Sequence, residues 1–265
     1  MNLSVPAPSA SARAYPGLFI SFEGGDGVGK TTQIELLSTL LAAARITYRR
    51  TREPGGTELG AQIRALLLHG GEVSPRAEAL LYAADRAHHV TTVVRPALAA
   101  GAIVISDRYL DSSVAYQGAA RELGPQEVRE LSLWATGGLL PDLTILLDAD
   151  ADLARSRAGA RGSRDRLERE PDAFHVALRE EFRALAGAEP ERIKVVDADQ
   201  PVADVAAEVT GLVERLIAER GAGLHVEADS GRAEPVRPLG AFRTAVRSRD
   251  SRRQRGHGGG RESEQ

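Results

Sequence analysis

The chain has 265 residues, 42% of them hydrophobic and 27% charged, with a formal net charge of −3. This is the composition of an ordinary soluble globular protein with a substantial core in one large domain or two small ones; it supplies no global basic field for nucleic acid. Cysteine is absent, which excludes disulfides and thiolate metal sites and fits a reducing cytoplasm.

No apolar run approaches the ~20 residues needed to cross a bilayer. The opening, MNLSVPAPSASARAYPG, has neither a basic n-region nor an apolar h-region and is not read as a signal peptide. Residues 1–15 lack periodicity and read as a flexible extension. LFISFE (18–23) is an apolar run ending at glycines, as a buried strand does. Residues 31–44 carry Ile34, Leu37, Leu40 and Leu41 at helical spacing. ITYRRT (46–51) alternates like a strand. Helical patterns follow at 58–68 and at 76–100, the second with a bend expected near Pro96.

AIVIS (102–106), LTILLD (143–148) and IKVVD (193–197) are further strand candidates, each ending at or next to an aspartate: Asp107, Asp148 and Asp197. Helices are predicted between them at 112–117, 126–136 and 172–186. A last helix begins near Pro201, with Val205, Val209, Leu212 and Leu216 on one face. Strands alternating with helices imply a parallel sheet covered on both faces, with sites beyond the carboxyl ends of the strands. From residue 231 onward there are nine arginines against four acids and one aromatic, Phe242. That pattern reads as a solvated, disordered tail rather than an RNA-binding or anionic-surface-binding segment.

The turn after the first strand reads GGDGVGKTTQ. Gly24, Gly29, Lys30 and Thr31 fill every fixed position of the phosphate-binding pattern G-x-x-x-x-G-K-[ST]. Glycines let successive backbone N–H groups converge on phosphate oxygens, and the following helix aims its positive end at them. Lys30 adds charge against the β and γ phosphates, and the Thr31 hydroxyl suits an Mg²⁺ shell. Gly25, Asp26, Gly27, Val28 and Thr32 complete the expected ATP-binding turn. The rest of the chain contains a single lysine, Lys194.

Nucleoside triphosphate binding leaves three purposes: a GTPase switch, an ATP-driven motor or binding module, and a kinase acting on a small molecule. Guanine-specific switches read the base with N-K-x-D, and Asn2 is the chain's one asparagine, so the first purpose fails. Choosing between the other two needs an acceptor site.

Four further stretches bear on that choice: TREPGGTELG (51–60), LLYAADRAHH (80–89), SDRYLDSSVAYQG (106–118) and LPDLTILLD (140–148). With FEGGDGVGKTTQ, and in this order and spacing, they make residues 19–217 resemble the thymidylate kinase family, whose members phosphorylate dTMP with ATP. The resemblance implies roles residue by residue. Arg108 and Arg64 grip the acceptor phosphate, as planar guanidinium forks suit. Asp107 holds Mg²⁺ through water beside Thr31. Tyr82 stacks on the base, although periodicity alone makes it a core residue of an amphipathic helix. Arg86 donates to a ring carbonyl, and Gln117 pairs with the imide edge. Tyr116 crowds the sugar C2′. Asp26 and Glu53 lie near the acceptor's sugar and phosphate, and Ser113 lines the same pocket.

The phosphate loop has no arginine, and RSRAGARGSRDRLERE (155–170) resembles the lid that supplies one in part of the family. By that resemblance Arg161 and Arg166 are the catalytic cations, and Arg157 contacts ATP. The expectation is thus an α/β fold with about five parallel strands. It comprises an extension at 1–15, one P-loop nucleoside monophosphate kinase domain at 16–220 with its lid at 155–170, and a tail at 221–265. ATP and dTMP are the expected substrates and Mg²⁺ the cofactor. The family pattern also implies a cytoplasmic homodimer with no nucleic-acid or membrane partner. Another nucleotide or deoxynucleoside kinase of this fold, or a P-loop ATPase acting as a regulatory or binding module, stand as alternatives.

Overall fold

The computed structural model describes residues 15–150, 154 and 166–225. Five strands form one sheet: β1 (Leu18–Glu23), β2 (Tyr48–Arg52), β3 (Ile103–Asp107), β4 (Leu143–Asp148) and β5 (Ile193–Asp197). The order is β2-β3-β1-β4-β5 and every pairing is parallel, as the strand–helix alternation predicts. The three inner strands are apolar runs, because both of their faces are covered. At the edges, β2 has no buried residue, and β5 is buried at Ile193 and Val196 alone.

Alternation within each strand divides the core in two. Leu18, Ile20 and Phe22 of β1, with Ile103, Ile105, Ile145 and Val196, pack under α1 (Lys30–Ala43) and the last helix, Val202–Arg220. Phe19, Val104, Leu146 and Ile193 face the opposite side. There they meet α2 (Glu58–His69), α3 (Pro75–His89), α4 (Arg95–Ala99), α5 (Leu110–Ser113), α6 (Pro125–Thr136) and α7 (Asp172–Ala188); we number the last helix α8.

Two helices carry π turns. The bend expected near Pro96 is a π turn at Val90–Val94, just ahead of α4; Pro96 has no N–H for the regular ladder, and the backbone widens before it. The helix expected at 112–117 is α5 continuing as a π-helical segment, Val114–Ala120. Such wide turns concentrate at functional sites, and this one carries Tyr116 and Gln117.

Contacts with the body reach just past the expected 16–220 domain at both ends. Tyr15, expected in the extension, accepts a hydrogen bond from Arg95 at 2.5 Å. Beyond residue 220, the expected end of the domain, a 3₁₀ turn (Gly221–Gly223) leads to His225, whose N–H donates to the Gly101 carbonyl and whose carbonyl accepts from the Thr47 N–H. These residues continue the β2–β3 end of the body because they satisfy backbone groups there.

Truncation after Arg220 is therefore expected to lower the melting temperature relative to truncation after His225. Two backbone hydrogen bonds are worth about 1–2 kcal/mol, hence roughly 2–8 °C in a domain of this size. Equal midpoints in paired thermal scans would show that residues 221–225 add nothing.

Candidate active site

Residues 24–29 turn the chain from β1 into α1. Gly24, Gly27 and Gly29 take φ values of 125°, 85° and 100°, which side chains rarely tolerate. At Gly24 an added Cβ would stand 2.3 Å from the Leu147 carbonyl oxygen of β4. The sheet itself therefore demands glycine there. Lys30 folds back over the turn, and its Nζ donates to the carbonyls of Gly24 at 3.0 Å and Gly25 at 2.7 Å. Burial, helped by the nearby Arg108 cation, lowers its pKa from 10.5 to about 8. Thr31 and Asp107 border one recess, and Gly27 to Thr32 line the adjoining cavity with Asp26, Arg64 and Arg108.

Arg108 follows directly on β3 with φ 70°, in the left-handed region that non-glycine residues enter at a cost. Its surroundings hold that corner. The Arg108 N–H donates to Phe22 O at 2.9 Å, and the Tyr109 N–H donates to Glu23 Oε1 at 2.7 Å. The Ser112 hydroxyl donates to Glu23 Oε2 at 2.5 Å. Glu23 has no exposed surface. Burial, then the charge of Asp111, pushes its pKa up to about 8.

The Arg108 guanidinium then spans the site. Nη1 donates to Gly24 O at 3.0 Å and to Ser112 Oγ at 3.2 Å, and Nη2 pairs with Asp26 Oδ1 at 2.5 Å. The guanidinium carbon sits 5.0 Å from the Tyr116 ring centroid, and the Tyr116 hydroxyl donates to Asp26 Oδ2 at 3.1 Å. Burial alone would raise the Asp26 pKa, but the Arg108 and Lys30 charges outweigh it and hold the value at about 2.

A second cavity opens on the other side of this pair. It is lined by Asp26, Glu53, Arg64, Tyr82, Arg86, Arg108, Ser113, Tyr116 and Gln117, so all the residues expected to bind the acceptor surround one space. Arg64 Nη1 also donates to Pro54 O at 3.0 Å. Two members are engaged differently from expectation. Glu53 is buried with both oxygens committed, Oε2 to Arg86 Nε at 2.7 Å and Oε1 to His89 Nδ1 at 2.8 Å. Arg86 donates further to Ser132 Oγ at 3.0 Å, Tyr109 O at 3.2 Å and Ser113 Oγ at 2.9 Å. One Nη1 hydrogen remains for a ligand. Glu53 thus orients Arg86, because a guanidinium this deep needs its charge matched.

Arg166 differs most. Expected over the phosphates, it instead donates from Nε to Leu67 O at 3.0 Å and pairs through Nη2 with Glu78. A buried carboxylate draws the nearest guanidinium to itself. Arg157 and Arg161 lie outside the described residues.

Several residues here escape sequence reasoning. Glu23, Asp85 and Glu78 are fully buried carboxylates in apolar segments, a signal present in the sequence because such groups need partners. Asp85 Oδ1 accepts the Gly55 N–H at 3.2 Å and so anchors the turn carrying Glu53. His89 is fully buried between Glu53 and Thr51; its contacts give it a structural place beside the acceptor cavity.

A parallel sheet with a glycine turn at the carboxyl end of its central strand, and an arginine-lined cavity sharing a wall with that turn, defines a P-loop nucleotide-binding protein with room for two ligands. The thymidylate kinase family model matches residues 22–209, and the chain belongs to that family. It is 63% identical over 196 residues to a thymidylate kinase of Leifsonia xyli subsp. xyli, covering 73% of this chain and 93% of that protein. With one from Clavibacter michiganensis subsp. michiganensis the identity is 60% over 204 residues, or 76% and 97% of the two chains. A thymidylate kinase of Bifidobacterium longum subsp. infantis is 49% identical over 233 residues, covering 86% and 99%.

The low pKa of Lys30 has a measurable consequence. Bound phosphates favour the charged amine, whereas the free protein loses that proton near pH 8. Above this pH, binding must take up a proton. Nucleotide affinity is expected to fall by up to about tenfold per pH unit between pH 8 and 10. Calorimetric titration should show this slope in the parent protein and its loss in Lys30→Ala; a flat profile in the parent would contradict the assignment.

Proposed function

We propose that the chain transfers the γ-phosphate of ATP to dTMP, giving ADP and dTDP on the route to dTTP. Beyond family membership, one observation carries the reading: the hydrogen-bonded Asp26–Arg108 pair, with Glu53 and Arg64, lines both the phosphate-loop cavity and the second cavity. A P-loop ATPase module needs no such second cavity, and the Tyr82, Arg86 and Gln117 lining favours a pyrimidine monophosphate over other acceptors.

In this reading Gly24 to Thr32 cradle the donor phosphates, with Lys30 leaving its loop carbonyls for the β and γ oxygens. Arg64 and Arg108 hold the acceptor phosphate. Tyr82 stacks on the base, Arg86 and Gln117 read its edge, Ser113 supports Arg86, and Tyr116 with Asp26 crowds the sugar. The acceptor phosphate is already ionised at neutral pH, so no general base is required. Catalysis is alignment plus charge neutralisation.

Mg²⁺ fits the residues present: Thr31 and Asp107 border one recess beside the loop, and this ion commonly takes one or two protein oxygens with phosphates and water. When bound, it neutralises charge between the donor phosphates. The arginine-free loop leaves a transition-state cation to be supplied, and we assign it to Arg161, with Arg157 on ATP. Arg166 holds the end of that segment against Glu78. A homodimer is supported by exposed Leu66, Leu80 and Trp134 on α2, α3 and α6, apolar groups that a partner subunit would cover. No described helix is long and apolar enough to cross a membrane. A cytoplasmic location rests on the cysteine-free composition.

An ADP-release assay with a panel of nucleoside monophosphates should show dTMP as the preferred acceptor and loss of turnover in Lys30→Ala. Preference for another acceptor would move the protein to a different kinase, and acceptor-independent turnover would favour the ATPase module. In the same assay Arg161→Ala should lower kcat by about two orders of magnitude or more, whereas Arg166→Ala should cost less than about tenfold. The reverse ranking would return the catalytic cation to Arg166.

A further inference from the structure

Glu78 lies in the first turn of α3 with no exposed surface, one of the most deeply buried charges in the described residues. Its Oε1 accepts from Gln117 Nε2 at 2.8 Å and faces Arg121 Nε at 3.5 Å. Its Oε2 takes the Arg166 guanidinium. Arg121 is held in turn by Glu170 at 2.6 Å. Gln117 is itself buried, lines the acceptor cavity, and has Glu78 as its side-chain partner among the described residues.

The terminal torsion of a glutamine is soft and roughly two-fold, so an unrestrained amide exchanges its oxygen and nitrogen positions at little cost. An amide that can flip reads a donor–acceptor edge and an acceptor–donor edge equally well. Thymine presents N3–H and O4, a donor beside an acceptor; cytosine presents N3 and an amine, the reverse. Gln117 therefore discriminates between them only if something forbids the flip. An ionised carboxylate can accept but never donate. It tolerates the amide N–H and repels the amide oxygen.

We propose that Glu78 is a specificity-determining positioning residue. By accepting one Nε2 hydrogen, it fixes the Gln117 amide so that the other hydrogen and Oε1 meet an imide edge and refuse an amino-pyrimidine edge. This rests on the reading of Gln117 as the group that pairs with the base. Arg121, which faces Oε1, and Arg166, on Oε2, hold the carboxylate in place. The Arg86 guanidinium, a pure donor, adds to the discrimination at the same edge.

The test compares kcat/KM for dTMP and dCMP in four proteins. Glu78→Gln preserves size but can offer Gln117 either an oxygen or an amine. It is expected to raise the dCMP-to-dTMP ratio by about tenfold or more, chiefly through KM. Arg166→Gln removes one of the two cations on Glu78 and leaves Arg121 and the Gln117 contact in place, so it should raise the ratio by less than Glu78→Gln does. Gln117→Leu should raise KM for dTMP by about tenfold or more. If Gln117→Leu does so and Glu78→Gln keeps the parental ratio, the lock is overturned while the reading of Gln117 stands. If Gln117→Leu leaves KM for dTMP unchanged, that reading fails and the lock with it. Should Glu78→Gln not fold, Glu78→Asp serves, since it stays charged but withdraws from Gln117. The same rise in ratio supports the lock and a parental ratio overturns it.

Discussion

The site depends on one backbone corner. Arg108 is turned into a left-handed conformation at the end of β3, a strain of order 1–3 kcal/mol that persists only where its surroundings over-determine it. Here they do: Phe22 O takes the Arg108 N–H, Glu23 takes the Tyr109 N–H and the Ser112 hydroxyl, and the guanidinium closes onto Gly24 O and Asp26. An extended residue would continue the strand and carry its side chain elsewhere. The corner lets a cation from β3 lie against the phosphate turn of the neighbouring strand β1 and face the acceptor cavity at once.

That arrangement follows from the strand order. With β1 between β3 and β4, the carboxyl ends of the three buried strands bring the glycine turn, the Asp107–Arg108 corner and Asp148 into one neighbourhood. The space is tight: the Leu147 carbonyl leaves no room for a side chain at Gly24. Two cores, one on each face of the sheet, hold these ends rigidly. Rigid support suits a reaction that works by alignment and charge rather than by proton transfer. In and beside the acceptor cavity three cations are matched by carboxylates, Arg108 by Asp26, Arg86 by Glu53 and Arg166 by Glu78. Burying such groups singly would be far more costly than burying them in pairs.

Much of this was legible from residue order. The inner strands are apolar runs of strand length ending at glycine or aspartate, and β4 and β5 have the bounds that LTILLD and IKVVD suggest. The phosphate turn announces itself because its chemistry admits so few residue types. The residues that the resemblance named for the acceptor do line one space. What remained hidden were choices between partners. Nothing in local spacing says that Glu53 turns to Arg86 and His89, that Arg166 prefers Glu78 to the phosphate side, or that Tyr116 and Gln117 ride on a π-helical segment rather than a regular helix. These are long-range pairings decided by burial, and the periodicity of a single segment does not contain them.

Arg108 and Asp26 are expected to act as one unit between the two ligands. A double-mutant cycle with Asp26→Asn and Arg108→Lys, read as kcat/KM for dTMP at saturating ATP, measures that directly. Residues in a shared network couple by about 0.5–3 kcal/mol. The expected coupling is at least about 1 kcal/mol, with the double variant little worse than the more damaged single one. Additive losses, within about 0.5 kcal/mol, would mean that the two residues serve the reaction independently and would contradict the shared wall as the basis of transfer.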